Sequence, residues 1–223
     1  MLRRGSRRVA GIDEVGRGAI AGPVTVGVAV VDASTPTAPS GLRDSKLLSP
    51  QQREDLEPRV RRWAVTCAVG HAAAAEIDRW GIMAALRLAA LRALSVCGPV
   101  DAAILDGPYD WLAVEQPGLF ASAPWPAVEV PVVTTQVKGD QRCSSVAAAS
   151  VAAKVERDRI MSRLHEAAPQ YGWAQNKGYS TAEHSDALVR HGLSQQHRSS
   201  WRLASGGSGD AVPSPTEGLS LHR

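Results

Sequence analysis

Val9-Ala10-Gly11-Ile12-Asp13-Glu14-Val15-Gly16-Arg17-Gly18 and the run Pro23 to Val31 behind it decide how this chain folds. Val9 to Ile12 predicts a short strand that ends at Asp13 and Glu14. Pro23 to Val31 alternates small and β-branched residues, the pattern of a second strand. Gly16-Arg17-Gly18 lies between them as a glycine-flanked turn, so the two strands read as a β-hairpin.

Outward from the hairpin, Ser34 to Ser40 is a loop rich in Pro, Ser and Thr. Ser49 caps a polar helix that has Pro50 at its first position and runs to about Arg62. Ala64 to Gly70 reads as a third strand. Ile82, Ala85, Leu86, Ala89 and Ala93 recur at helical spacing, so a helix with a buried face runs to about Val96 and stops at Gly98-Pro99. Ala102 to Leu105 is a short buried strand ending at Asp106-Gly107, and Val128 to Val133 a fifth strand. Ser144 to His165 is a long helix that opens on the small-residue tract Val146 to Ser150, and Thr181 to His191 is a further short one. The order predicts an α/β domain over residues 1–203, with a mixed sheet and a helical C-terminal portion. Residues 204–223 are rich in Gly, Ser and Pro and read as a disordered tail.

Of 223 residues 44% are hydrophobic, enough for a sizeable core, and one Phe and three Tyr leave that core to aliphatic side chains. A net charge of +3 permits a polyanionic partner without requiring one. Cys67, Cys97 and Cys143 form no metal-ligand spacing, which fits a reducing, cytoplasmic setting. Met1 to Arg8 is arginine-rich, but Asp13, Glu14 and Arg17 break the apolar stretch that a signal peptide needs. No run of 18 apolar residues suggests a membrane span.

Asp13, Glu14, Asp106 and Asp140 share one property: each sits where the chain leaves or enters a regular element. In open α/β sheets ligands gather outside strand ends. If the strands are neighbours, several carboxylates converge, and a bound cation relieves their mutual repulsion. Oxygen-only ligands select hard ions such as Mg²⁺ or Mn²⁺. Taken singly, each residue also has an ordinary explanation as a surface pair, a turn or a helix cap. Gly16-Arg17-Gly18 lets the backbone approach a sugar closely, because no Cβ intervenes at the glycines. Lys46 is either a phosphate contact or an ordinary solvated surface lysine. Arg142, Lys154, Arg157, Arg159 and Arg163 form either a basic helical face or a solvated, salt-bridged one. The spacing of His184, His191 and His197 matches no zinc motif, so packing or phosphate contact is expected of them. Cys143 has no evident base partner and is not read as a nucleophile.

Gly11 to Gly18 followed by Ala21-Gly22-Pro23-Val24, then Asp44 to Ser49, resemble the first two motifs of type 2 ribonucleases H. Lys138-Gly139-Asp140 with Ser145 to Ser150 and Ala153 to Asp158 resembles the third. Asn176 to Tyr179, Thr181, His184, His191-Gly192 and His197-Arg198 resemble the closing region. The blocks keep the family's order between about Val9 and Trp201. Ala19 departs from the proline common there, and residues 107–128 are not diagnostic. The resemblance implies a ribonuclease H-like fold, a five-stranded mixed sheet flanked by helices. It implies an endonuclease that hydrolyses the RNA strand of RNA–DNA hybrids and incises 5′ of ribonucleotides embedded in duplex DNA, in ribonucleotide removal and primer processing. It assigns metal binding and catalysis to Asp13, Glu14, Asp106 and Asp140, with two divalent cations, Mg²⁺ or Mn²⁺, and water as nucleophile. Gly16, Arg17 and Gly18 read the 2′-hydroxyl in this scheme. Lys46 meets a phosphate, and Tyr179 packs on the deoxyribose after the ribonucleotide. Action as a monomer without a membrane is expected. The alternatives are a ribonuclease H-like exonuclease and a non-catalytic duplex-binding module.

Overall fold

The computed structural model describes residues 1–2, 5–113 and 125–201. The proposed tail at 204–223 lies outside the described residues. Five strands form one sheet: β1 (Arg8–Val15), β2 (Val24–Asp32), β3 (Thr66–Ala72), β4 (Ala102–Asp106) and β5 (Val132–Gln136). Their order is β3-β2-β1-β4-β5. β1 pairs antiparallel with β2, and β2 with β3, whereas β4 runs parallel to both β1 and β5. The sheet is mixed, as the sequence predicts. The helices are α1 (Pro50–Trp63), α2 (Ala74–Cys97), α3 (Gly139–Arg142), α4 (Ser144–Ala167), α5 (Trp173–Asn176) and α6 (Ala182–His191).

Strand alternation sorts the two faces. Val24, Val26, Val28 and Val30 of β2, with Ala10 and Ile12 of β1, point into the main core with Leu86, Ala89, Ala90 and Ala93 of α2. The opposite face meets α4. There Gly11 and Gly27 carry no Cβ, and one would collide with the backbone of Ser145 and of Ala149. Glycine in the strands and the Val146–Ser150 tract in the helix therefore let α4 lie almost against the sheet. α1 begins as read: Ser49 and Gln52 close a capping box, with Pro50 in the first turn.

Several boundaries differ from the sequence reading. β1 runs on through Asp13 and Glu14 to Val15, because all of it pairs with β2. The link to β2 spans residues 16–23 and is a shaped loop rather than a tight turn, with Gly16 and Gly22 at φ +82° and +78°. The fifth strand is Val132–Gln136, not Val128 to Val133. Its parallel register with Ala102–Asp106 recruits the residues after Pro131, which has no N–H to give a ladder. Val128 and Val130 still pack against the core. α2 starts at Ala74, ahead of the expected Ile82, and breaks at Gly81, which has φ +78°. By length and composition α2 is apolar enough to cross a membrane, but it is the core helix beneath the sheet.

Candidate active site

Parallel pairing of β1 with β4 sets Ile12 opposite Leu105, so Asp13 and Asp106 leave the same end of the sheet side by side. β5 then delivers the chain past Lys138, at φ +56°, into α3. The Gly139 amide donates to Asp106 Oδ1 at 2.7 Å, and Asp140 follows in that turn. One carboxylate oxygen from each of Asp13, Asp106 and Asp140 lies within 4.8 Å of the other two. Asp13 and Asp140 are buried, and Asp106 is half-buried.

The cluster resists its own ionisation. Burial first, then Glu14 and Asp106, pushes the Asp13 carboxyl up to about 7, against the pull of the Ser150 hydroxyl and of Lys46. Asp140 is raised to about 6 by burial, by Asp106 and by Asp44, to which it is hydrogen-bonded. Lys46 is the compensating cation. Burial opposes its charge, but Asp13, Asp44, Asp140 and Asp106 outweigh that and hold its pKa up. A buried set of carboxylate oxygens without nitrogen or sulfur fits a hard divalent cation, which would replace the missing positive charge.

Glu14 is not part of this triad. It alternates to the other face of β1, where its Oε1 lies 3.6 Å from Arg17 Nη1. Burial, opposed chiefly by Arg17, still raises its pKa, and Asp106 and Lys46 act on it across the strand end. Gly16-Arg17-Gly18 opens the loop beside the carboxylates. A Cβ on Gly16 would collide with the Arg157 guanidinium, whereas one on Gly18 would meet open space.

Two buried arginines, Arg157 and Arg198, hold that loop. Arg198 donates to the carbonyls of Gly16 (2.6 Å), Arg17 (2.9 Å) and Gly22 (3.2 Å). Arg157, read from sequence as a member of a basic face, is fully buried and donates to the carbonyls of Pro23 (2.9 Å), Lys177 (2.8 Å) and Ala21 (3.2 Å). The other α4 cations are salt-bridged: Lys154 to Asp158, and Arg159 and Arg163 to Glu156. Tyr179 is 37% exposed, with the Arg157 guanidinium 5.5 Å from its ring centroid. Its loop abuts the first, since the Gly178 carbonyl accepts from the Ile20 and Ala21 amides. His184 and His197 are buried, with their Nε2 atoms 3.1 Å apart, whereas His191 is exposed. Asp44 and Ser150 are site residues that the sequence reading missed. Asp44 sits inside a recognised motif, and Ser150 closes the small-residue tract, so position in those blocks was the available signal.

The family model described as Ribonuclease HII matches residues 10–204. The chain is 48% identical over 211 residues to a ribonuclease HII of Streptomyces coelicolor, covering 94% of this chain and 81% of that one. Its fold is similar to the ribonuclease H2 of Pyrococcus horikoshii OT3, with a TM-score of 0.65 and 24% identity over 88% of this chain and 94% of the other. It is also similar to a structure of the PCNA:RNase HII complex from Archaeoglobus fulgidus, with a TM-score of 0.64 and 25% identity over 88% and 96% of the two chains.

Proposed function

The chain belongs to the ribonuclease HII family, metal-dependent endoribonucleases that act on RNA–DNA hybrids, and from that premise we propose how this site works and on what. The substrate is a duplex carrying ribonucleotides, single ones embedded in DNA included, and incision falls 5′ of the ribonucleotide. Asp13, Glu14, Asp106 and Asp140 hold two divalent cations, Mg²⁺ or Mn²⁺. Convergence of three carboxylates from separate segments within 4.8 Å, beside the Gly16–Gly18 loop, is the observation that carries this reading.

Bound cations at such a centre supply a water of lowered pKa and neutralise charge on the phosphate and the leaving oxygen. The chain's own residues do the rest. Asp13, Asp106 and Asp140 would hold the cations, with Glu14 at the rim, and a bound cation would relieve the repulsion and burial that raise the Asp13 carboxyl. Lys46 balances the carboxylates and faces an incoming phosphate. With the Gly16 and Arg17 carbonyls held by Arg198, the amide edge of the loop is offered to a 2′-hydroxyl. The half-exposed Tyr179 ring packs on the deoxyribose that follows. One chain supplies every group named here, which supports action as a monomer. Three free thiols, Cys67, Cys97 and Cys143, support a cytoplasmic setting.

The test is a closed circular duplex with one ribonucleotide, incubated with each metal and then with chelator. The expected result is a metal-dependent nick 5′ of the ribonucleotide, leaving 5′-phosphate and 3′-hydroxyl ends. A 2′,3′-cyclic phosphate would mean that the 2′-hydroxyl reacts instead of being read. A need for a free end would favour an exonuclease.

A further inference from the structure

Two histidines join the Tyr179 loop to the segment that carries Arg198. His184, on α6, and His197 are 0% and 2% exposed, and their Nε2 atoms are 3.1 Å apart. Their partners fix where the protons lie. The Ser194 amide can only donate, and it donates to His197 Nδ1 at 2.9 Å. That nitrogen is therefore bare, and the His197 proton sits on Nε2, aimed at His184. The Trp173 indole, also only a donor, points at His184 Nε2 from 3.2 Å. His184 Nε2 thus accepts from two sides, and its proton sits on Nδ1, which donates to the Tyr179 carbonyl at 2.9 Å. The hydrogen bonds run one way, from Ser194 through His197 and His184 to Tyr179.

Packing locks the rings. Tyr171 stacks on Trp173 with centroids 5.0 Å apart and meets His197 edge-on at 4.7 Å. Past His197 the chain is pinned to the ribose loop, because the Arg198 amide donates to the Ile20 carbonyl and Ala21 bridges to His197. One end of the relay therefore holds Tyr179 and the other holds the loop of Gly16 to Gly22.

We infer that His184 is a positioning residue for substrate choice: its Nδ1–H fixes the Tyr179 carbonyl, and with it the distance between the tyrosine ring and the ribose loop, which sets the preference for an RNA-to-DNA junction. The inference rests on the reading of Tyr179 and Gly16–Gly18 given above.

Two substitutions separate positioning from propping. An asparagine amide reaches the place of Nδ1, so His184→Asn keeps a donor for the Tyr179 carbonyl. A glutamine amide reaches the place of Nε2, so His184→Gln loses it. Both disturb the buried cluster and lower the melting temperature. The readout is the ratio of kcat/KM on a duplex with one embedded ribonucleotide to that on a long RNA–DNA hybrid, with kcat and KM resolved. His184→Gln is expected to lower that ratio about 5- to 10-fold, within what the aromatic contact can contribute, and His184→Asn to hold it within about twofold of wild type. Equal shifts in both variants, no shift in either, or failure of both to fold would each overturn the inference and leave His184 a structural prop. Tyr179→Ala, run alongside, tests the premise. If that ratio does not move, the junction role of Tyr179 is wrong. If Tyr179→Ala lowers it and His184→Gln does not, the premise stands and the inference about His184 is wrong.

Discussion

The acidic centre and the histidine cluster are both made of buried polar groups, and they are completed in opposite ways. At the centre, burial and neighbouring carboxylates push Asp13 up to about 7 and Asp140 to about 6, with Lys46 as compensating cation. In the cluster each nitrogen of His184 and His197 has a partner in Ser194, Trp173, Tyr179 or the other ring. Carboxylates that hydrogen bonds and burial hold together against their own repulsion point to a cation that completes them. A satisfied set is scaffold. The first region gives up stability to function, and the second supplies the rigidity that function needs.

Asp13→Asn is the largest expected effect. Cleavage should fall at least about 1000-fold, because the central ligand is lost, while duplex binding persists. Without metal the same variant should melt several degrees higher, since a repelled buried carboxylate is gone. Kinetics on the single-ribonucleotide duplex and calorimetry read both, and activity within about tenfold of wild type would break the contrast. In the cluster the signs reverse: Trp173→Ala should cost about 3–5 kcal/mol in denaturant unfolding, through a lost indole, a cavity and the loss of one of the two donors to His184 Nε2. A loss under about 1 kcal/mol would remove the cluster as scaffold.

The two regions also predict opposite pH slopes. Asp13 has a folded pKa of about 7 against an ordinary 3.8, so the folded state favours its protonated form. Its contribution is fully present below about 4 and is lost as pH rises through 7. His197 is lowered to about 4 by burial and by His184, against an ordinary 6.5, so the folded state favours its neutral form. Its contribution is present above 6.5 and is lost as pH falls toward 4. Melting curves without metal across pH 4–8 should therefore lose stability at both ends, and Asp13→Asn should flatten only the upper one. Saturating Mg²⁺ should do likewise in wild type. The smallest effect expected is that of Ser150→Ala. Its hydroxyl lowers the Asp13 pKa, so removing it moves the rise of the pH–rate profile to higher pH, with a loss of about two- to fivefold at neutral pH.

Much of the fold was legible because the hydrophobic periods were clean: the β2 valines and the Pro50 start of α1 fall where pattern and capping put them. β5 was misplaced because Val128 and Val130 are as apolar as Val132 and Val133, and only pairing with β4 chooses between them. At the site, strand ends pointed to Asp13 and Asp106 and the start of the long helix to Asp140, and the three lie together, but alternation along β1 carries Glu14 to the other face. Arg157 and Arg198 were illegible as loop anchors. Their partners are backbone carbonyls far away in sequence, which leave no residue-type signature.

The central claim, that these carboxylates form a metal centre, is tested most directly by a crystal grown with Mn²⁺ and examined by anomalous scattering. Manganese is expected among the carboxylate oxygens of Asp13, Asp106 and Asp140, with loss of that peak in Asp13→Asn. Manganese bound elsewhere in wild type, or an unchanged peak in the variant, would contradict it.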